Sequence, residues 1–280
     1  MKNKEGMTAV CDLHTHTVLS DASRTVEQVM DYGKKIGLKY IAITDHDTLA
    51  GTQEALELGA RCGIRVIPGT EISTRDENTG RTVHVLCYGP KDREGLQRFL
   101  DGTLKSRRRQ KLAIAANVQK QYPLVTPELV EEYASQSQSV YECHIMQILC
   151  DLGYTNTAIG EMMRGLVSSG GSCFVPGRYP STREAIRAVH DCGGIAVVAH
   201  AQQFDSFELI EAYAGRVEIN HPRNSDKTRR RLREIAERYG LLVTGGSDFH
   251  GQYAKEPHPL GFCGCTLEEA RQVAERAGII

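Results

Sequence analysis

Seven short β-rich runs, each followed by a polar or glycine-bearing loop, recur along this 280-residue chain and limit how it can fold. They are VCDLHTH (10–16), YIAITDH (40–46), VIPGTEIS (66–73), TVHVLCY (82–88), GIAVVAH (194–200), RVEINH (216–221) and LLVTGGSD (241–248). Helical patterns stand between them. TVEQVMDYGKKIG (25–37) follows Ser23 as an N-cap, and TREAIRAVHDCGG (182–194) ends on glycines suited to a left-handed C-cap. Strands alternating with helices pair in parallel through right-handed crossovers. The expected fold class is therefore α/β, a distorted (β/α)7 barrel whose C-terminal strand ends open onto one face, where functional groups gather.

Between residues 101 and 175 this pattern breaks. TLKSRRRQKLAIAANVQKQYP, TPELVEEYASQ and HIMQILCDLGY all read as helices, with Pro123 and Pro127 as punctuation and no strand between them. Residues 1–100 and 176–280 are thus expected to form the barrel, with 101–175 an inserted helical subdomain that roofs the site. The loop SSGGSCFVPGRYPS returns the chain to the barrel.

Six of the seven runs carry His, Asp or Glu at or near their C-terminal end; the fourth carries His84 in mid-run. In the first, Asp12, His14 and His16 are spaced two apart, so a regular strand points all three the same way and two imidazoles can converge on one ion. Collected across the barrel face, the metal-type residues are His14, His16, Asp21, His46, Glu71, His84, His200, Asp248 and His250, with Asp45 and Asp47 flanking His46. Buried together they would repel or lack partners unless cations joined them. Imidazole nitrogen with carboxylate oxygen and no thiolate suits Zn, Mn or Fe, and nine ligands fit two or three ions. The nine scattered cysteines read as small hydrophobes in a reducing compartment.

With 34 basic and 35 acidic residues the net charge is -1, so no whole-molecule field draws the chain to nucleic acid or anionic lipid. No apolar run reaches the roughly 18 residues of a membrane span, and MKNKEGMTAV lacks an apolar signal region, so a cytoplasmic location is expected. Nucleic acid is not an expected partner.

DLHTHTVLSD, ITDHDT, PGTEIS, VAHA and GGSDFHG resemble the polymerase and histidinol phosphatase (PHP) superfamily, in its small metal-dependent phosphoesterase branch. The resemblance implies the distorted (β/α)7 barrel with three divalent metal ions, Mn, Fe or Zn. Carried over by motif, His14, His16 and Asp248 would hold the first ion, Glu71 would bridge to the second, His84 and His200 would complete the second, and Asp21, His46 and His250 would hold the third. Asp12 and Asp45 would align imidazoles. Glu71, Asp248 and His250 would carry catalysis, a metal-bridging hydroxide attacking phosphorus with His250 or a nearby water handling the leaving group's proton.

The implied partner is a small phosphorylated metabolite, a nucleotide or sugar phosphate monoester or a cyclic phosphodiester. Arg178, Arg223 and His221 are the expected phosphate binders, and Arg107-Arg108-Arg109 reads as a solvated helix face. One departure stands out: Glu142-Cys143-His144 occupies the place where the nucleotide-acting branch has Arg-Pro-His, and a carboxylate there would repel a phosphate. That favours a cyclic phosphate over a 3',5'-bisphosphonucleotide. The alternatives are a nuclease acting on oligonucleotide ends, a non-catalytic metal-stabilised scaffold and, lower, an amide hydrolase.

Overall fold

The computed structural model describes residues 10–210, 216–254, 256 and 258–280. The stretch 1–9, most of the segment read for a signal region, lies outside them. The β-rich runs form eight strands among the described residues: β1 (Cys11–Thr15), β2 (Tyr40–Ile43), β3 (Arg65–Val66), β4 (Gly69–Arg75), β5 (Thr82–Tyr88), β6 (Ile195–Val198), β7 (Arg216–Asn220) and β8 (Leu242–Gly245). The third run supplies two of them. Pro68 has no N–H to give to a ladder, so β3 ends before it on β2 and β4 starts after it on β5.

The expected α/β class holds, while the parallel pairing expected of a distorted (β/α)7 barrel holds only in part and the sheets are mixed. β1-β2-β3 form one parallel sheet and β4-β5-β6-β7-β8 another, in which β5 runs antiparallel to both neighbours. The reversal has a local cause. Between β4 and β5 lies only a tight turn, in which the Asp76 carboxylate accepts from the N–H groups of Asn78 and Thr79; a parallel return needs a crossover of about a dozen residues or more. The sheets do not close into one continuous barrel. Their edges are linked by isolated backbone hydrogen bonds, Glu71 N–H to Thr44 (3.0 Å) at one seam and Asp248 N–H to His14 (2.9 Å) at the other.

Reversing β5 explains the one run with its histidine out of place. Because β5 runs the other way, its beginning, not its end, reaches the face where the parallel strands finish, and His84 lies there opposite Ser73 of β4.

The helices are α1 (Val26–Ile36), α2 (Thr52–Cys62), α3 (Arg93–Gln119), α4 (Pro127–Tyr133), α5 (Glu142–Asp151), α6 (Glu161–Leu166), α7 (Thr182–Asp191), α8 (Ala201–Phe204), α9 (Phe207–Leu209), α10 (Asp226–Tyr239) and α11 (Leu267–Arg276). Thr25, not Ser23, caps α1, in a reciprocal box with Gln28; the Ser23 hydroxyl accepts from Gln252 N–H instead. α7 ends as expected: Gly193 takes φ +71°, and the N–H groups of Gly193 and Gly194 reach back to His190 and Val189.

Cys11, Leu13, Leu86, Tyr88 and Val197 form the central core with Ala270 and Ala274 of α11, which covers the strand ends away from the histidines. Ile114, Val118, Val130, Ile145 and Leu149, from α3, α4 and α5, form a separate apolar cluster. No helix among the described residues is long and apolar enough to cross a membrane.

Gly246 sets the approach of β8 to β1. A Cβ there would lie 2.3 Å from His14 Cβ and 2.4 Å from its backbone nitrogen, leaving no room even for a methyl group. Gly246→Ala is expected to cost about 1–3 kcal/mol, read as a lowered denaturation midpoint; an unchanged midpoint would show that the seam relaxes freely.

Candidate metal centre

β1 is not a regular strand, and that decides which of its polar residues meet. Cys11 pairs with Tyr40 and Asp12 with Ile41, but Thr15 pairs with Ile43, so β1 carries one residue too many. This bulge changes the facing of the residues C-terminal to it. Asp12 and Thr15 share the side of Ile41 and Ile43, which belong to the cluster under α1 and α2. Asp12 is therefore not on the face of His14 and His16, contrary to the alternation expected of a regular strand.

Glu71 of β4 is the hub of the site. Its Oε2 lies 3.3 Å from His14 Nε2, 3.3 Å from His16 Nε2 and 3.3 Å from His46 Nδ1. Its Oε1 lies 3.0 Å from His84 Nδ1 and 2.9 Å from His200 Nε2. Asp248 Oδ1 closes the first group at 3.5 Å from His14 Nε2 and 3.3 Å from His16 Nε2. Another group forms around Asp21, whose Oδ1 is 3.3 Å from His250 Nε2 and 3.9 Å from His16 Nδ1 and whose Oδ2 is 3.8 Å from His46 Nε2. All nine sequence-derived metal candidates are thus brought together, with His46 placed between the Glu71 and Asp21 groups.

The donor set fits divalent cations. His14 Nε2, both ring nitrogens of His16, His46 Nδ1 and Asp21 Oδ1 are buried and have no hydrogen-bond partner among the described residues, although oxygens or nitrogens stand close by. Within each candidate group the ligand atoms lie within 4.8 Å of one another, a spacing that one ion can span, and an ion would satisfy them. The electrostatics agree. Burial opposes charge on His14 and His16, but Glu218, Glu71 and Asp248 outweigh it, lifting both, His16 to about 10. At His46 and His200 burial prevails and lowers them to about 3 and about 4. Burial would raise Glu71 and Asp248, yet the imidazoles hold both below the usual carboxylate range. The carboxylates demand positive charge, and cations supply it more compactly than protons. The candidate ligand groupings among the described residues contain no cysteine.

Local strain marks the same place. Three of the four non-glycine residues with positive φ among the described residues are Asp47 (58°), His200 (28°) and Asp248 (53°), a conformation costing about 1–3 kcal/mol each. Asp47 is held there by Ser73 N–H (2.8 Å) and by Arg107 (2.6 Å).

Several expected roles are corrected. Asp12 touches no imidazole; it accepts from Ser247 N–H (2.9 Å), Ser247 Oγ (2.6 Å) and Gly261 N–H (2.8 Å), tying the β8 loop down, and burial pushes its carboxyl up to about 6. Asp45 likewise accepts from Thr17 and Ser20 and pins the β1 loop. His221 is fully buried behind Asp248, 3.4 Å from its Oδ2, and is absent from the cavity wall. Arg178 is exposed and also outside that wall. Arg223 does line it, 3.8 Å from Asp248.

Two partners escaped the sequence reading. Glu218, fully buried in β7, accepts from His14 Nδ1 (2.8 Å) and from His200 N–H (2.8 Å), taking the imidazole-orienting role expected of Asp12. The signal was there: an acid between Val217 and Ile219 in a strand points opposite to both. Glu218→Gln is expected to weaken cation affinity about 10–100-fold, measured by competition with a chelator; unchanged affinity would sink the role. Arg107 is buried too, while Arg108 pairs with Glu131 at the surface and Arg109 is exposed. Thr103, Leu104, Arg107, Gln110, Lys111 and Ile114 make the buried stripe of α3 at helical spacing, so only the first arginine of the run faces inward. Its guanidinium lies 4.7 Å from the Tyr141 ring centre, and Tyr141 Oη donates to the His46 carbonyl (3.0 Å).

A cavity of about 380 Å³ opens over Asp21, Glu71, His84, Asp248 and His250, with Ile159 and Met163 from the helical segment in its wall.

The PHP domain model matches residues 12–192. The chain is 36% identical over 256 residues to phosphoribosyl 1,2-cyclic phosphate 1,2-diphosphodiesterase of Eggerthella lenta, covering 90% of this chain and 97% of the relative. It is 27% identical to the 5'-3' exoribonuclease Rnm of Escherichia coli, covering 86% and 85%. A candidate metal-dependent phosphoesterase structure from Bifidobacterium adolescentis matches with a TM-score of 0.87 at 31% identity, over 95% of this chain and 96% of that one.

Proposed function

This chain belongs to the PHP domain family, and from that premise we propose that it is a metal-dependent phosphoesterase hydrolysing small phosphate esters, cyclic phosphodiesters among them. The observation that carries this is the convergence of five imidazoles on the single carboxylate of Glu71. The cyclic-ester preference is supported by the similarity to the Eggerthella lenta enzyme along nearly the whole chain.

The residues that would hold three ions are His14, His16 and Asp248; His84 and His200; and Asp21, His46 and His250, with Glu71 reaching donors of the first two sets. Divalent cations held by such a set would neutralise phosphate oxygens and lower the pKa of water bound to them toward neutrality, so no Ser or Cys nucleophile would be required. The chain's own part is orientation. Glu218 takes the His14 Nδ1 proton in a hydrogen bond, leaving Nε2 as the free lone pair. His250 Nδ1–H donates to the Asp248 carbonyl (2.9 Å), which fixes its Nε2 toward Asp21. Glu71, Asp248 and His250 are the assigned catalytic groups. Arg223, 48% exposed at the cavity mouth, is the assigned phosphate contact. Residues 101–175 are assigned as a cap, supported by Ile159 and Met163 in the cavity wall, with 1–100 and 176–280 as the body that holds the ions.

The test is phosphate release and product analysis on a panel of phosphate monoesters, bisphosphates, cyclic diesters and a short single-stranded RNA, with Mn added. A cyclic diester opened to a monoester and then to free phosphate is the expected result. No phosphate from any small ester by metal-replete protein would overturn the reading.

A further inference from the structure

A second cavity of about 250 Å³ adjoins the first, and His84 lines both. Arg75, Arg107 and Lys111 stand in its wall with one carboxylate, Glu142, a composition that at first sight suits a second phosphate. Two of those cations already face a carboxylate, and Arg75 lies over the Tyr179 ring at 6.0 Å. Arg107 donates to Asp47 (2.6 Å) and Ser73 (2.6 Å), and Arg75 donates to the Gly80 carbonyl (2.9 Å). Lys111, 3% exposed, is ion-paired with Glu142, which is 25% exposed. Removing one partner of a buried pair leaves an uncompensated charge. A phosphate entering here would have to face the Glu142 carboxylate or displace it.

The capacity the pair retains suits a hydroxyl. A carboxylate takes hydrogen bonds from several donors and an ammonium has three to give, so Glu142 and Lys111 keep capacity on both sides after meeting each other. Ser73, whose oxygen already accepts from Arg107, has its own proton to donate.

We propose that Lys111 and Glu142 are a specificity-determining pair: the second cavity receives the uncharged, hydroxyl-bearing end of a sugar or polyol leaving group and rejects one that carries a phosphate there. The inference rests on the phosphoesterase reading of the neighbouring site. His84 stands at the junction of the two cavities, so an ester held at Glu71 extends its alcohol past that imidazole into the pair's reach.

The experiment compares kcat/KM for glucose 6-phosphate, glucose 1,6-bisphosphate and methyl phosphate on the Mn-loaded protein. Wild type is expected to favour the monophosphate over the bisphosphate at least about tenfold. Glu142→Gln should lower the monophosphate value and raise the bisphosphate value, opposite movements that simple structural damage does not produce. Lys111→Gln with Glu142→Gln removes both charges without orphaning either and should bring the ratio close to one. Both values falling together, or an unchanged ratio, overturns the proposal while leaving the phosphoesterase reading intact. Hydrolysis of methyl phosphate alone also overturns only the proposal. Hydrolysis of none of the three overturns the proposal, and the phosphoesterase reading then stands or falls on the cyclic diesters of the wider panel.

Discussion

Glu71→Gln is expected to lower kcat/KM for phosphoester hydrolysis about 10³-fold or more while the protein stays folded. The substitution keeps the shape of the side chain and removes its charge. In the native site that carboxylate stands within 3.3 Å of five imidazoles and reaches ring nitrogens of both the first and the second ligand sets. An amide cannot accept on both of its ends, so one set loses its anion. Cation stabilisation of a phosphoryl transition state is worth several kcal/mol, and each 1.4 kcal/mol or so is a factor of ten. Bound metal measured by mass spectrometry should fall alongside the rate. A variant with full metal content and near-normal turnover would show that Glu71 is not the shared ligand.

Stripping the cations with a chelator should destabilise the fold itself. Asp21, Glu71 and Asp248 are carboxylates packed among imidazoles at the base of the cavity, and without cations their mutual repulsion is relieved by taking up protons. Cations that bind the folded chain and not the unfolded one stabilise it by mass action, about 4 kcal/mol at a thousandfold excess over Kd. For a chain of this size that corresponds to a fall in Tm on the order of 10 °C. Differential scanning calorimetry before and after chelation, with Mn restored in a third run, measures it. An identical Tm in all three would mean that the cluster is satisfied without ions. Because the readout is stability, it stands apart from any question of substrate.

The candidate ligands were legible in the chain because metal-binding side chains are rare at the ends of apolar runs, and His14, His16, His46, Glu71, His200 and Asp248 all stand at or near such ends. Their second neighbours were not. Asp12 and Glu218 are both acids in strands two or more residues from a metal-facing group, and period-two alternation assigns the imidazole-orienting role to Asp12. A single extra residue in β1 turns Asp12 away and leaves the role to Glu218, across the sheet. The Arg107-Arg108-Arg109 run divided in the same way, by where the helix axis lay and not by composition.

Composition and spacing along the chain were enough to determine an α/β protein with a cation-binding face made of imidazole and carboxylate, since apolar periodicity and donor chemistry are local properties of the chain. Strand direction, the break at Pro68, the bulge in β1 and the pairing of Lys111 with Glu142 depend on which segments meet in space. Those meetings are settled by turn length, seam contacts and packing between residues far apart in the chain, and only the folded structure holds them.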